Sequence, residues 1–253
     1  MIYRRVAARL KAQDWLAIII ELGIVIVGVF IGTLVANANQ QRLEGRETSY
    51  RLAQLKPELQ RIRARADVAR KYYATTRRYA ETAFAAWEGD RQITDHDFVI
   101  AAYQASQIKG MVSTSQSWAT IVGADQLRNI DDPAIRDPML RLMTFPDANL
   151  GQERVQSEYR NLVRTLIPDH IQQEIRSRCG DYAATPDALD FSLHETCSLT
   201  LDPKQTAATA VDLRRHSELV GLLRLHLAMV SSMLNDIRIY DTAAARLERA
   251  LKR

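Results

Sequence analysis

Residue types able to do chemistry are sparse in this chain. It carries two cysteines, Cys179 and Cys197, and five histidines in 253 residues. In an exported bacterial domain, two thiols separated by 17 residues are expected to close a disulfide. The alternative is a metal site built from Cys179, His194 and Cys197, for which no fourth ligand is evident. His170 and Glu174 stand four apart on a helical stretch, a pairing that arises often by chance. Asp125, Asp131, Asp132 and Asp137 cluster around turns, where carboxylates cap helices. Ser113, Thr114, Ser115 and Ser117 have no base near them in the chain to activate a hydroxyl. G-x-S-x-G, Walker A, G-x-G-x-x-G, H-E-x-x-H and C-x-x-C patterns are all absent. The expectation is therefore a non-catalytic protein with no cofactor and no metal.

What the chain does carry is a membrane signal. Trp15 to Val35 reads as 21 residues with one ionisable group, Glu21, and at 1.5 Å per residue it spans about 30 Å, enough to cross a bilayer core. Arg4, Arg5, Arg9 and Lys11 precede it, whereas Arg42 and Arg46 are the only basic residues in the fifteen that follow. Positive charge collects on the cytoplasmic side, so the expected topology is a cytoplasmic tail over 1–14, a transmembrane helix over 15–36 and a periplasmic domain over 37–253. Trp15 is placed as an interfacial anchor. A cleaved signal peptide is the competing reading, because Ala36-Asn37-Ala38 resembles a cleavage site; however, signal cores run about 7–15 residues and this one is longer.

Glu21, Gly28 and Gly32 share one face of that helix: at 100° per residue the two glycines lie within about 20° of Glu21. Gly28-x-x-x-Gly32 is the spacing that lets two membrane helices approach closely. A carboxyl group beside it is expected to be protonated or hydrogen-bonded to a neighbour, since an isolated charge there costs several kcal/mol. These residues form the candidate face for contact with a second copy or another membrane subunit.

Elements that position the rest are helical. Ten glycines and seven prolines in 253 residues fall well below the average usage of about 12%. From Leu52 the apolar positions step by three and four through Leu55, Leu59, Ile62, Ala66, Ala69, Tyr73, Thr76, Ala80, Ala83 and Trp87, which describes a helical stripe. Pro57 lies inside it and predicts a kink or short break. Arg61, Arg63, Arg65, Arg70, Lys71, Arg77 and Arg78 fall off the stripe and are expected to form a basic outer face. Gly89-Asp90 ends this helix, and Thr94 or Asp95 caps a second one to about Ile108. A third is expected over 115–122, a fourth from Asp132-Pro133 to Thr144, and a longer one after Asp147 with Pro168 as a kink. Cys179 to Pro203 is irregular. A second stripe runs from Leu223 through His226, Val230, Met233, Ile237, Tyr240, Ala244 and Leu247 to Leu251, with His216 in phase before it. His226 on this apolar face is expected to be a hydrogen-bonded core residue. The two stripes are expected to pack together, giving an all-α fold: one transmembrane helix followed by an exported bundle of long and short helices.

Charge divides along the chain. Residues 1–80 hold 15 Lys/Arg against 6 Asp/Glu, and residues 81–253 hold 19 against 24. A basic front half fits an anionic lipid surface; nucleic acid is not expected, because no aromatics interleave with the arginines for base stacking.

Several of these residues resemble a family of uncharacterised single-span proteobacterial membrane proteins with an exported helical domain. The resemblance lies in the basic tail, Gln13-Asp14-Trp15-Leu16, Ile20-Glu21, Gly28-Val29-Phe30-Ile31-Gly32 and the polar Asn37-Ala38-Asn39 that closes the span. Ala38 stands where that family's span usually ends in Trp. The segment from Ser117-Trp118 to Asn129-Ile130 is similar to the family's internal segment. The resemblance implies topology and fold and brings no activity. Two function classes remain: an accessory, assembly or scaffold subunit of a bacterial inner-membrane complex, or a receptor-like periplasmic module binding a small ligand. A cytoplasmic stub of about 14 residues has no output domain, which favours the first.

Overall fold

The computed structural model describes residues 15–110, 127, 130–145, 157–182 and 191–252. Among these are seven α-helices: α1 (Trp15–Trp87), α2 (Asp95–Ala105), α3 (Pro133–Thr144), α4 (Glu158–Leu166), α5 (Asp169–Cys179), α6 (Pro203–Arg215) and α7 (Glu218–Ala250). No strand occurs among the described residues; the only extended pairing is an isolated bridge between Tyr182 and Ser192. The fold is all-α.

α1 is 73 residues long, roughly 110 Å at 1.5 Å per residue. Its apolar stripe becomes buried from Leu52 onward, and Leu55, Leu59, Ala66, Ala69, Ala80 and Ala83 are fully covered. Pro57 sits inside α1 without ending it. The residue is exposed, as is Ala53, whose carbonyl loses its helical donor there; that carbonyl can be solvated, so the missing bond is inexpensive. Gly89 stops the chain just past α1 with φ 89°, a left-handed conformation that glycine adopts without a Cβ penalty.

α7 packs antiparallel along α1. Arg63 reaches Glu248 (2.8 Å) while Arg70 reaches Asp241 (3.2 Å), so position rises on one helix as it falls on the other. Two apolar clusters result. The one nearer the span joins Leu55, Leu59, Ile62 and Tyr73 to Ile237, Tyr240 and Leu247 of α7 and to Met139 and Leu142 of α3. The farther one wraps α2, whose residues Phe98 to Ala105 are all buried, with Ala80, Ala83, Ile171, Ile175, Leu213 and Leu223. A helix apolar all round belongs at a centre. The Trp87 indole closes this end, donating to the Leu213 carbonyl (3.2 Å) and meeting Phe98 edge-on at 5.1 Å.

Start signals hold at side-chain resolution. Thr94 accepts from the Asp97 amide (3.1 Å), and Asp132 accepts from Ala134 (2.8 Å) with Pro133 opening α3. Two expectations require correction. The long helix expected across Pro168 is two: Ile167 is extended at φ −81°, ψ 122°, as residues before proline prefer, and α5 starts afresh at Asp169. His216 does not belong to the second stripe; it ends α6, and α7 departs at 81° to it. Pro203–Arg215, for which the sequence pattern carried no expectation, is a helix of its own, capped by Asp202 on Lys204 and Gln205. The helix expected at 115–122, the stretch 147–156, Asp125 and the Trp118 segment lie outside the described residues.

Candidate membrane anchor and helical head

The first third of α1 is a candidate membrane span. Its most apolar 18-residue window has a mean hydropathy of 2.7, and none of that window is buried by the rest of the protein. Leu16, Ile24 and Phe30 are each more than 60% exposed. A run of large apolar side chains with nothing folded over it is consistent with membrane anchoring, since a bilayer core would cover it. Trp15 opens the helix and is exposed. A Cβ built on Gly28 or Gly32 meets nothing within 4 Å, so the face these residues share with Glu21 is open to close approach.

Beyond the span, the expected basic face divides into two kinds of residue. Arg61, Lys71 and Arg77 are exposed and Arg65 is half-buried. Arg63, Arg70 and Arg78 are exposed as well, but their charges are engaged: Arg63 and Arg70 hold Asp241 and Glu248 of α7, and Arg78 holds Glu195 at 3.0 Å. Glu248 also accepts from Lys252 (2.9 Å), and the hydrogen bonds from Lys252 and Arg63 hold its carboxyl below the usual range. Three of the seven therefore fasten the long helix to other parts of the bundle, and Arg61 pairs with Glu58 on its own helix.

At the far end, Cys179 and Cys197 are joined in a disulfide. Both sulfurs are engaged in it, which removes the metal reading for Cys179, His194 and Cys197; the His194 ring instead lies against Tyr182 at 4.5 Å between centroids. The closed segment is tied to the long helices by a series of hydrogen bonds. Gln104 donates to the Cys179 carbonyl (2.6 Å), Tyr72 to Asp181 (2.9 Å), Tyr79 to the His194 carbonyl (2.9 Å) and His96 to the Leu199 carbonyl (2.8 Å). Burial and the adjacent Asp181 carboxylate push the Tyr72 hydroxyl far above its ordinary pKa, so it remains a donor at every physiological pH. Sequence pattern did not single out Tyr72, Tyr79, His96 or Gln104, because each looks like an ordinary helix residue until its partner, 75 or more residues away, is placed.

Between the two ends, a polar group of side chains is enclosed where α2, α4 and α7 meet. Arg160 donates to the Ser106 carbonyl (2.9 Å), Arg164 donates to Gln107 (3.1 Å) and its guanidinium lies over the Tyr103 ring at 4.7 Å. Burial and neighbouring Arg160 lower the pKa of Arg164. His226 is 1% exposed and 5.8 Å from the Tyr159 ring. It is a core residue as expected, but its polar contact is loose: no well-formed hydrogen bond reaches either ring nitrogen among the described residues, and the Ala105 backbone interacts with the ring only weakly. Burial, with Arg160 adding its charge, pushes its pKa down to about 4. A cavity of about 230 Å³ beside it is lined by Tyr159, Leu222 and Met229.

Of the pair His170 and Glu174, His170 bonds to Gln205. Among the described residues, no three His, Cys, Asp or Glu side chains gather as a metal site would require. Asp132 is a helix cap, and residues 113–117 lie outside the described residues.

Together these features define a class: one candidate span running without a break into an all-α head whose irregular segment is closed by a disulfide. The chain matches no family profile, no curated protein and no solved structure.

Proposed function

We propose that the chain is a membrane-anchored, non-catalytic interaction protein, an accessory, assembly or scaffold subunit of a bacterial inner-membrane complex, with its N-terminus cytoplasmic and its head periplasmic. The observation that carries this reading is the continuity of α1: the uncovered apolar stretch and the buried stripe of the head are one helix. A tilt or displacement of the span by a bound neighbour would be passed directly to the head. The disulfide supports the periplasmic side, since such bonds persist in oxidising compartments.

The face of Glu21, Gly28 and Gly32 is proposed as the contact surface within the membrane, with a second copy or another subunit. Cysteine crosslinking along the span, in native membranes, tests this. Crosslinks concentrated at positions flanking these three residues, and lost when they become Leu, Ile and Ile, are the expected result. Crosslinks that survive the triple substitution would overturn it. Topology is tested separately: protease added to right-side-out spheroplasts should digest the head, and a head that is spared refutes the orientation.

A further inference from the structure

The chemistry of α7 points to one more surface. Asp241 and Glu248 lie within about 20° of each other around this helix and face α1, where Arg63 and Arg70 hold them. Arg238, Arg246 and Arg249 fall on a sector centred about 100° away, toward α3, which contributes Arg141. All four of these arginines are exposed. One helix thus carries acid on one side and base on the other.

The basic side lines a groove. Two adjoining cavities of about 440 and 430 Å³ lie between α3 and α7 and share Asp137, Pro138 and Arg246. From Arg238 to Ala250 the groove follows α7 for about 18 Å, the length of five or six residues of extended chain. Among the described residues, none of the four guanidiniums has a carboxylate within ion-pair distance. Asp137, the single acid of the lining, is within 3.4 Å of Arg136 instead. The walls between the arginines are formed by Ile239, Thr242, Ala243 and the two prolines of α3, so one hydroxyl stands among apolar groups.

We infer that this groove takes an acidic peptide segment of a partner protein, with carboxylates placed against the arginines and small side chains between them. Guanidinium forks match carboxylates in geometry, and an elongated, open-sided trough suits an extended chain better than a compact anion. Lipid headgroups are a poor fit: Glu248 is level with Arg63, which stands about 40 Å along α1 from the end of the span. This inference rests on the interaction reading above but uses a surface remote from the Glu21 face.

The test uses the full chain in non-ionic detergent and a fluorescein-labelled hexaglutamate peptide followed by anisotropy. Binding should weaken as salt is raised, and fall about tenfold in the double variant Arg141→Gln/Arg246→Gln. Arg224→Gln, on the other half of α7, should leave it unchanged. Because the substituted side chains are exposed, the thermal unfolding of each variant should match the wild type. Equal binding by wild type and double variant overturns the assignment, as does equal binding of a hexaserine peptide. Pyrophosphate binding more tightly than the peptide would also overturn it, in favour of a compact anion. Peptide binding that persists when span crosslinking fails keeps the groove and removes only the membrane contact.

Discussion

His226 is the residue at which acid should loosen this fold. Its ring is buried, neither ring nitrogen has a well-formed hydrogen bond among the described residues, and burial with the Arg160 charge outweighs the Ala105 backbone contact to hold its folded-state pKa at about 4 against an ordinary 6.5. A depressed histidine pKa means the unfolded chain binds the extra proton more readily. The stability that depends on a neutral ring is therefore intact above about pH 6.5 and is lost as pH falls from there toward 4. Fully developed, the penalty is roughly 3 kcal/mol, and at about pH 5 linkage gives roughly 2 kcal/mol. In His226→Leu this dependence disappears. At neutral pH the substitution should be close to neutral, because it removes a buried, poorly hydrogen-bonded ring along with its packing. Urea unfolding of wild type and variant at about pH 7.5 and about pH 5, followed by circular dichroism, isolates the term, since every other titrating group is common to both proteins. The variant should lose about 2 kcal/mol less than wild type on acidification. Parallel losses would show that the ring is hydrated or paired when the protein is folded, and the reasoning would fail.

Other predictions follow from the same contacts. Cys179→Ala/Cys197→Ala should destabilise the head by about 3 kcal/mol, the chain-entropy value for a loop of this size, and reductant should reproduce the loss in wild type; an unchanged denaturation midpoint would refute a constraining role. Asp202→Ala should cost about 1 kcal/mol through loss of the α6 cap, whereas Asp202→Asn should recover most of it in the same unfolding assay. Leu59→Ala should be far more costly, about 2–5 kcal/mol, since Leu59 is fully enclosed between α1, α3 and α7.

Local signals carried the fold where they were strong. The three-four stepping of Leu52 to Trp87 and of Leu223 to Leu251 marks the helices that do pair, and Asp132-Pro133 and Thr94 mark starts that are used. The same Asp-Pro start stands at Asp202-Pro203, yet α6 buries only Thr206, Thr209, Ala210 and Leu213, too few apolar positions for periodicity to register. The two interior prolines of the long helical stretches illustrate why a kink is not readable from the residue alone. Pro57 is exposed and the helix continues; at Pro168 the preceding Ile167 is buried in extended form and the helix ends. The difference lies in tertiary surroundings, which one sequence does not contain. The cysteines were legible as a pair, but the bonds that tie their loop to Tyr72, Tyr79 and Gln104 span 75 to 115 residues and have no periodic trace.

Charge placement explains why α7 can serve both the fold and a surface. A helix with Asp241 unpaired would draw Arg238 toward it, since residues three apart are neighbours. Arg63 and Arg70 of α1 occupy that acid instead. Arg238 on the α3 side is thereby left without a carboxylate of its own helix, while the α1–α7 pairing gains register. Reversing one partner should couple the two roles. In Arg63→Glu, repulsion from Glu248 weakens the helix pair, and Asp241, which loses one of its two arginine partners, becomes available to Arg238 on the basic side of its own helix. Hexaglutamate affinity should then fall although no groove residue has changed, with a moderate loss of stability in parallel. Restoring the pair with Glu248→Arg in the same chain should recover stability and affinity together. If Arg63→Glu loses stability but binds the peptide as wild type does, the two faces of α7 are electrostatically independent.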